Sequence, residues 1–200
     1  MIIADKNERA RNMKTAEEVR EFWIDQVGPE GWYAVREELD DAIRTQFLET
    51  WELIGTGRLD SWLTRAEGAL AYLILADQFP RNMFRESGRA FSTDVRALKA
   101  AQTVVRKEWD QLIDAPARQF FYLPFMHSES LTDQDHCVRL ICERMPGAGD
   151  TLMHAQAHRH VIRKYGRFPY RNDVLGRRST PAESAYLNAG GYAHTLRSMA

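Results

Sequence analysis

Four stretches of the chain carry side chains whose types and spacing suit chemistry. His127-Ser128-Glu129 sets an imidazole and a carboxylate directly after the apolar run Phe120-Phe121-Tyr122-Leu123-Pro124-Phe125-Met126. A general base or a metal ligand placed there emerges where an apolar wall ends. The plainer use of such a histidine is to bond a carbonyl freed near Pro124. No Gly-x-Ser-x-Gly elbow surrounds Ser128, so a serine nucleophile is not expected. His154 and His158 lie four apart on one helical face, the spacing at which two imidazoles share a metal. The zincin pattern requires a glutamate after the first histidine, and Ala155 stands there instead. A metal would still need a ligand such as His127, Glu129 or Asp133. No metal is assigned, and the pair reads as one solvated imidazole and one filling a polar core position. His127, Glu129 and His158 are the catalytic candidates.

The second kind of chemistry is anion recognition. Between Arg159 and Arg178 seven cations face one acid, Asp173, and six of the seven are arginine. The planar guanidinium fork grips carboxylates and phosphates in two-point contact, whereas a merely solvated face would do as well with lysine. Arg167, Arg171, Asn172 and Arg177 are therefore candidate ligand contacts. Tyr165, Phe168 and Tyr170 interleave with the cations, which also suits a nucleic-acid strand. Anion binding or internal pairing is the preferred reading of the two. In Asp77-Gln78-Phe79-Pro80-Arg81-Asn82 an acid opposes the dipole at an expected helix end while continuing the apolar face Leu70, Leu73, Ile74, so it should point inward. A buried acid needs a partner, and a nearby arginine is the usual one. Asp77, Arg81 and Asn82 thus read either as an internal lock or as part of a ligand site.

The elements that must hold these groups read as helices throughout. Thr15 with Glu18 makes a capping box ahead of Val19, Phe22, Trp23 and Val27. Val35, Leu39, Ile43, Phe47, Trp51 and Ile54 repeat at three or four residues and predict a second helix. A third carries Leu70, Leu73, Ile74 and Asp77 and should end at the helix breaker Pro80. A fourth bears Phe91, Val95, Leu98, Val105 and Trp109. A fifth, the most buried, should run from Asp114 through Met126, with Pro124 kinking or ending it just before His127. Thr132 with Asp135 predicts the next start. A helix from about Thr151 to Tyr165 should end at Gly166, and the last opens at Thr180, with Pro181 in its first turn and Glu183 completing the box, and should stop at Gly190-Gly191. Short loops between helices predict antiparallel hairpins. Phe79-Pro80-Arg81-Asn82 is echoed by Phe168-Pro169-Tyr170-Arg171-Asn172.

Composition removes several classes of function. The chain has 200 residues, 44% hydrophobic, with 27 basic and 28 acidic side chains and a net charge of −1. No break in composition divides it, so a single domain over 1–200 is expected, with 1–14 as a flexible arm. A nearly neutral chain has no global field to draw it to nucleic acid or an anionic membrane. The most apolar stretch, Ala66 to Phe79, contains Glu67 and Asp77 and is too short to span a bilayer. Charged residues follow the first few positions where a secretory signal would be apolar. Cys137 and Cys142, five apart on a predicted helix, cannot bridge and read as free thiols of a cytoplasmic protein. No phosphate loop or cofactor fingerprint is present, and no cofactor is expected.

The chain resembles the bacterial domain-of-unknown-function family 924. The resemblance rests on Leu75-Ala76-Asp77-Gln78-Phe79-Pro80-Arg81-Asn82, on Tyr122-Leu123-Pro124-Phe125-Met126-His127-Ser128-Glu129 with Gln134, and on His158 with Gly166-Arg167-Phe168-Pro169-Tyr170-Arg171-Asn172, Leu175-Gly176-Arg177, Ser179-Thr180 and Glu183. Phe22-Trp23 fits as well. It implies an all-α fold, with antiparallel helical hairpins in a tetratricopeptide-like, right-handed stack, and no activity. Ile24 and Tyr170 depart from the family pattern, the latter standing where an imidazole is frequent.

Three functional readings follow. The first is a binding module whose Arg-, His- and Asp-lined groove takes an anionic small molecule or peptide. The second is a hydrolase or lyase with His127 or His158 as base, Glu129 or Asp77 orienting it, and Arg81 with Arg167 clamping the substrate. The third is a protein-interaction module in which the polar motifs only fasten loops to helices. The absence of a nucleophile elbow or cofactor motif puts binding first.

Overall fold

The computed structural model describes residues 13–199, and among these every regular element is a helix or helical turn. No helix among them is long and apolar enough to cross a membrane. Residues 1–12, most of the expected N-terminal arm, lie outside the described residues; Lys14 donates its backbone N–H to Thr50 Oγ1 at 2.9 Å. Two compact units are present: the described part of Met1–Arg85 with Arg89–Phe121, and Glu86–Gly88 with the described part of Tyr122–Ala200.

In the first unit, α1 (Ala16–Arg20) starts at the expected capping box. It widens into a π-helical segment, Glu21–Val27, closed by the Gly28 N–H bonding back to Trp23 O. Helix α2 (Glu37–Trp51) buries Ile43, Phe47 and Trp51 as its spacing implied, together with Asp40 and Thr50. Val35 is 78% exposed: the backbone at Arg36 is extended, so the apolar repeat runs past the helix it predicts. Pro80 does not end its helix either. Helix α3 (Ala66–Leu73) continues through a π-helical segment, Ile74–Gln78, into α4 (Phe79–Met83), with Pro80 in the first turn of α4. A proline in a helix deprives the carbonyl four residues earlier of its partner and crowds it. That carbonyl belongs to Ala76, and it accepts a 2.6 Å hydrogen bond from the buried Thr93 hydroxyl, while the Phe79 N–H reaches back five residues to Ile74. Wider winding and a tertiary hydroxyl together absorb the proline. Helix α5 (Asp94–Arg106) buries Ala97, Ala100, Ala101, Val104 and Val105, whereas Val95 is 80% exposed. Its buried side is an alanine stripe that lets α5 come close to α3. The core is aromatic: the Phe79 ring lies 4.7 Å from Phe47, 5.4 Å from Trp23 and 6.1 Å from Phe22, centroid to centroid.

The expected helix from Asp114 through Met126 is instead a 3-10 turn, Ala117–Phe121, in the first unit and a short helix, α6 (Leu123–Met126), in the second. Pro124 sits in the first turn of α6, where a missing N–H costs nothing, so it starts a helix rather than ending one. The burial expected of this segment holds: Phe120, Tyr122, Leu123, Phe125 and Met126 are all at most 4% exposed. Leu123→Ala is accordingly expected to lower stability by about 2–5 kcal/mol in urea unfolding, through lost burial and an unfilled cavity. A loss below about 1 kcal/mol would mean the site collapses freely.

Helix α7 (Leu131–Arg144) begins at Ser130, whose hydroxyl accepts from the Asp133 N–H, two residues before the start that Thr132 predicted. It pairs with α8 (Gly149–Tyr165), which ends at Gly166 with φ 72°. Cys137 is buried in α7 and Cys142 exposed, both as free thiols. A 3-10 turn, Pro169–Arg171, leads to α9 (Pro181–Asn188), opened by the Thr180/Glu183 box. Gly190-Gly191 does not close the fold, because α10 (Gly191–Met199) follows and packs on α8.

Candidate functional site

Asp77, Arg81 and Asn82 sit in the first unit within a network of three carboxylates. Arg81 makes a two-point contact to Asp94, with both bonds at 3.0 Å, and also meets the carboxylate and carbonyl of Asp77. Asp77 is 1% exposed and also accepts from Gln78. Asn82 Nδ2 donates to Asp40 at 2.8 Å, and Arg85 holds both oxygens of the same buried carboxylate. The inward-pointing acid with its nearby arginine is thus present, and the network ties α2, α4 and α5 together.

The remaining candidates gather in the second unit. Short α6 leaves carbonyls without helical partners, and buried Gln134 on α7 collects two of them, donating to Met126 O at 2.6 Å and Ser128 O at 2.7 Å. This fixes the backbone on both sides of His127. The Ser128 hydroxyl donates to Asp133 at 2.7 Å, a structural role. Both oxygens of Glu129 are engaged: Arg177 makes a two-point contact at 2.7 and 3.0 Å, and the Phe168 N–H donates at 2.8 Å. Burial works against the charge on Glu129, but Arg177 and the Phe168 N–H outweigh it and hold the carboxyl below its ordinary range. Arg167 grips Glu183 with 2.6 and 2.8 Å bonds and also donates to Arg178 O. These bonds, against the opposing effect of burial, hold the Glu183 carboxyl far below its ordinary range. Asn172 is 1% exposed; it donates to Ser179 Oγ at 3.0 Å, and its backbone carbonyl accepts from Arg177. The loop after Gly166 is therefore held by side chains, as its proline requires.

Arg171 is 6% exposed, donates to the His127 carbonyl at 3.2 Å and lies over the Phe168 ring, 4.4 Å from its centroid. Beside it the His127 and His158 rings stand 6.2 Å apart, and His158 meets Phe168 edge-on at 5.4 Å. His158 Nδ1 lies 2.9 Å from His154 O, which only accepts, so the hydrogen-bond pattern assigns the ring proton to Nδ1. The Tyr192 oxygen is 2.7 Å from His154 Nδ1 and 3.0 Å from His158 Nδ1. The hydroxyl then donates to His154 and shares the His158 proton, which leaves His158 Nε2 as a lone-pair acceptor. Burial, followed by the neighbouring His127 and Arg171, lowers the His158 pKa to about 3, although the backbone bond to His154 opposes the shift. A base with that pKa is poorly matched to proton abstraction near neutrality and well suited to accepting a hydrogen bond. Among the described residues no group of three or more His, Cys, Asp or Glu is placed to hold a metal.

The sequence reading missed Tyr192. It lies 34 residues beyond His158, in a helix not foreseen after Gly190-Gly191, and no local pattern marks it as the partner of both imidazoles. Burial and the neighbouring Tyr170 and Tyr186 hold its phenol above the ordinary range, so it stays a hydroxyl.

Comparison with known proteins agrees with this architecture. A solved structure of ATU0120, a protein of unknown function from Agrobacterium tumefaciens, is similar with a TM-score of 0.83 and 36% identity over 88% of this chain and 97% of that one. No curated protein matches the chain. The model of the family described as "Bacterial protein of unknown function (DUF924)" matches residues 19–191, a span that holds every candidate residue, and the chain belongs to that family.

Proposed function

We propose that the protein is a binding module and that its second unit takes an anionic small molecule or a peptide carboxylate beside His127, His158 and Arg171. One observation carries this reading: Arg171, 6% exposed, is fixed on the His127 carbonyl and over the Phe168 ring, so its guanidinium stands beside the His127 and His158 imidazoles. Of these imidazoles His158 is held neutral first by burial and then by His127 and Arg171. An anion meets the guanidinium fork in a two-point contact. In this reading Arg171 and His127 carry the ligand contact, His158 Nε2 accepts a hydrogen bond from it, and Arg167, Asn172 and Arg177 hold the loop in place. The enzyme reading is weaker because His158 is a poor base and both Glu129 oxygens are committed to Arg177 and Phe168. The purely structural reading draws on the same internal pairs.

The test is thermal. Phosphate, sulfate or malonate should raise the melting temperature beyond chloride at matched ionic strength, since a ligand of the native state stabilises it by mass action. Arg171→Lys should remove most of that increment, because lysine keeps the charge and loses the fork. Arg167→Lys should lower the anion-free melting temperature and leave the increment intact. The imidazole NMR signals of His127 and His158 should move with the anion and not with chloride. An absent increment with unmoved histidine signals would overturn the reading in favour of the structural one.

A further inference from the structure

A second candidate cleft lies in the first unit, and none of its lining residues belongs to the candidate sites described above. Between α3 and α5 a cleft of about 610 Å³, counted out to solvent, is lined by Leu63, Tyr72, Val104 and Trp109, with Ala69 and Ala100 as its small residues. The gap exists because alanines stand where the facing helices would otherwise carry larger side chains; Ala69 is fully buried and Ala100 6% exposed. Arg96 and Lys99, three apart on α5, also line the cleft, and no acidic side chain does. Among the described residues neither cation makes an ion pair. The Arg96 head is also positioned. It packs on Gly55, which has φ 85°, a conformation that L side chains rarely adopt. Burial, opposed by Arg96 and aided by Asp60, holds the Tyr72 phenol above its ordinary range, so its hydroxyl is a donor beside the cations.

We propose that this cleft binds a small monocarboxylic acid with an aromatic or branched apolar body. The body lies against Leu63, Val104 and Trp109, and the carboxylate meets Arg96 and Lys99. The charge argues for the acid, because two cations that make no ion pair among the described residues stand at one edge of an apolar cleft, and an anion is the complementary group. The proposal is independent of the second-unit site and needs none of its residues.

Titration calorimetry with 4-phenylbutyrate, followed in parallel by Trp109 fluorescence, tests it. One equivalent should bind, and uncharged 4-phenylbutanol should bind at least about tenfold more weakly, since a charge-assisted contact is lost. Arg96→Glu and Lys99→Glu, both exposed changes compatible with folding, should each weaken phenylbutyrate about tenfold or more and leave phenylbutanol nearly unchanged. Ala100→Phe should block both compounds. Arg171→Lys should change neither, which separates failure here from failure of the second-unit site. No binding, equal binding of acid and alcohol, or indifference to Arg96→Glu and Lys99→Glu would overturn the proposal.

Discussion

Phe79→Ala is expected to lower the unfolding free energy by about 3–5 kcal/mol, the range for removing a large aromatic from a well-packed core. Phe79 is 0% exposed and sits among Phe22, Trp23 and Phe47, so deletion removes several tilted or edge-on ring contacts as well as buried area. The site cannot easily collapse. Phe79 lies where the π-helical segment passes into α4, and the backbone on either side is anchored by Thr93 on Ala76 O and by Arg81 on Asp94. Urea unfolding followed by tryptophan fluorescence is the measurement, with Trp23 as a close reporter. A loss below about 1.5 kcal/mol would show that the surrounding rings refill the space.

Stability should also fall as pH drops from about 6.5 toward 5, by up to about 1.4 kcal/mol per pH unit from His158 alone. Its folded pKa, about 3, lies below the ordinary value near 6.5. Between the two the unfolded chain holds a proton that the folded protein does not, so protonation favours unfolding. The contribution is complete above the unfolded pKa and is lost as pH falls toward the folded one. His136, lowered by burial and by Arg139, acts in the same sense. Glu129 and Glu183, held below their ordinary range, add their own loss only below about pH 4.5, so the window from 6.5 to 5 isolates the imidazoles. His158→Gln should flatten the profile in that window and leave the steeper loss at lower pH. An unchanged slope in the variant would show that His158 accepts a proton in the folded protein.

The sequence was informative where the physics is local. The capping boxes at Thr15/Glu18 and Thr180/Glu183 and the glycine stop at Gly166 stand where residue type placed them, because a cap satisfies its own first or last turn. Asp77 points inward beside Arg81, four residues on, for the same reason. The apolar run ending at Met126 is buried as read. Helix periodicity was less reliable at element ends: Val35 and Val95 fit the repeat and are exposed.

What the sequence by itself determined, then, is the helical class, most helix starts and the residues that gather around the loop after Gly166. The tertiary structure decided what those residues do. Pro80 reads as a stop, and only Thr93, thirteen positions on, makes it passable by bonding the Ala76 carbonyl. Arg167 and Arg177 read as ligand forks, but they face Glu183 and Glu129, 16 and 48 residues away. Tyr192 joins His154 and His158 from a helix that no local signal announced. A guanidinium binds an internal carboxylate and an external one through the same geometry, so its residue type sets the kind of partner. Only the folded chain decides which carboxylate lies within reach.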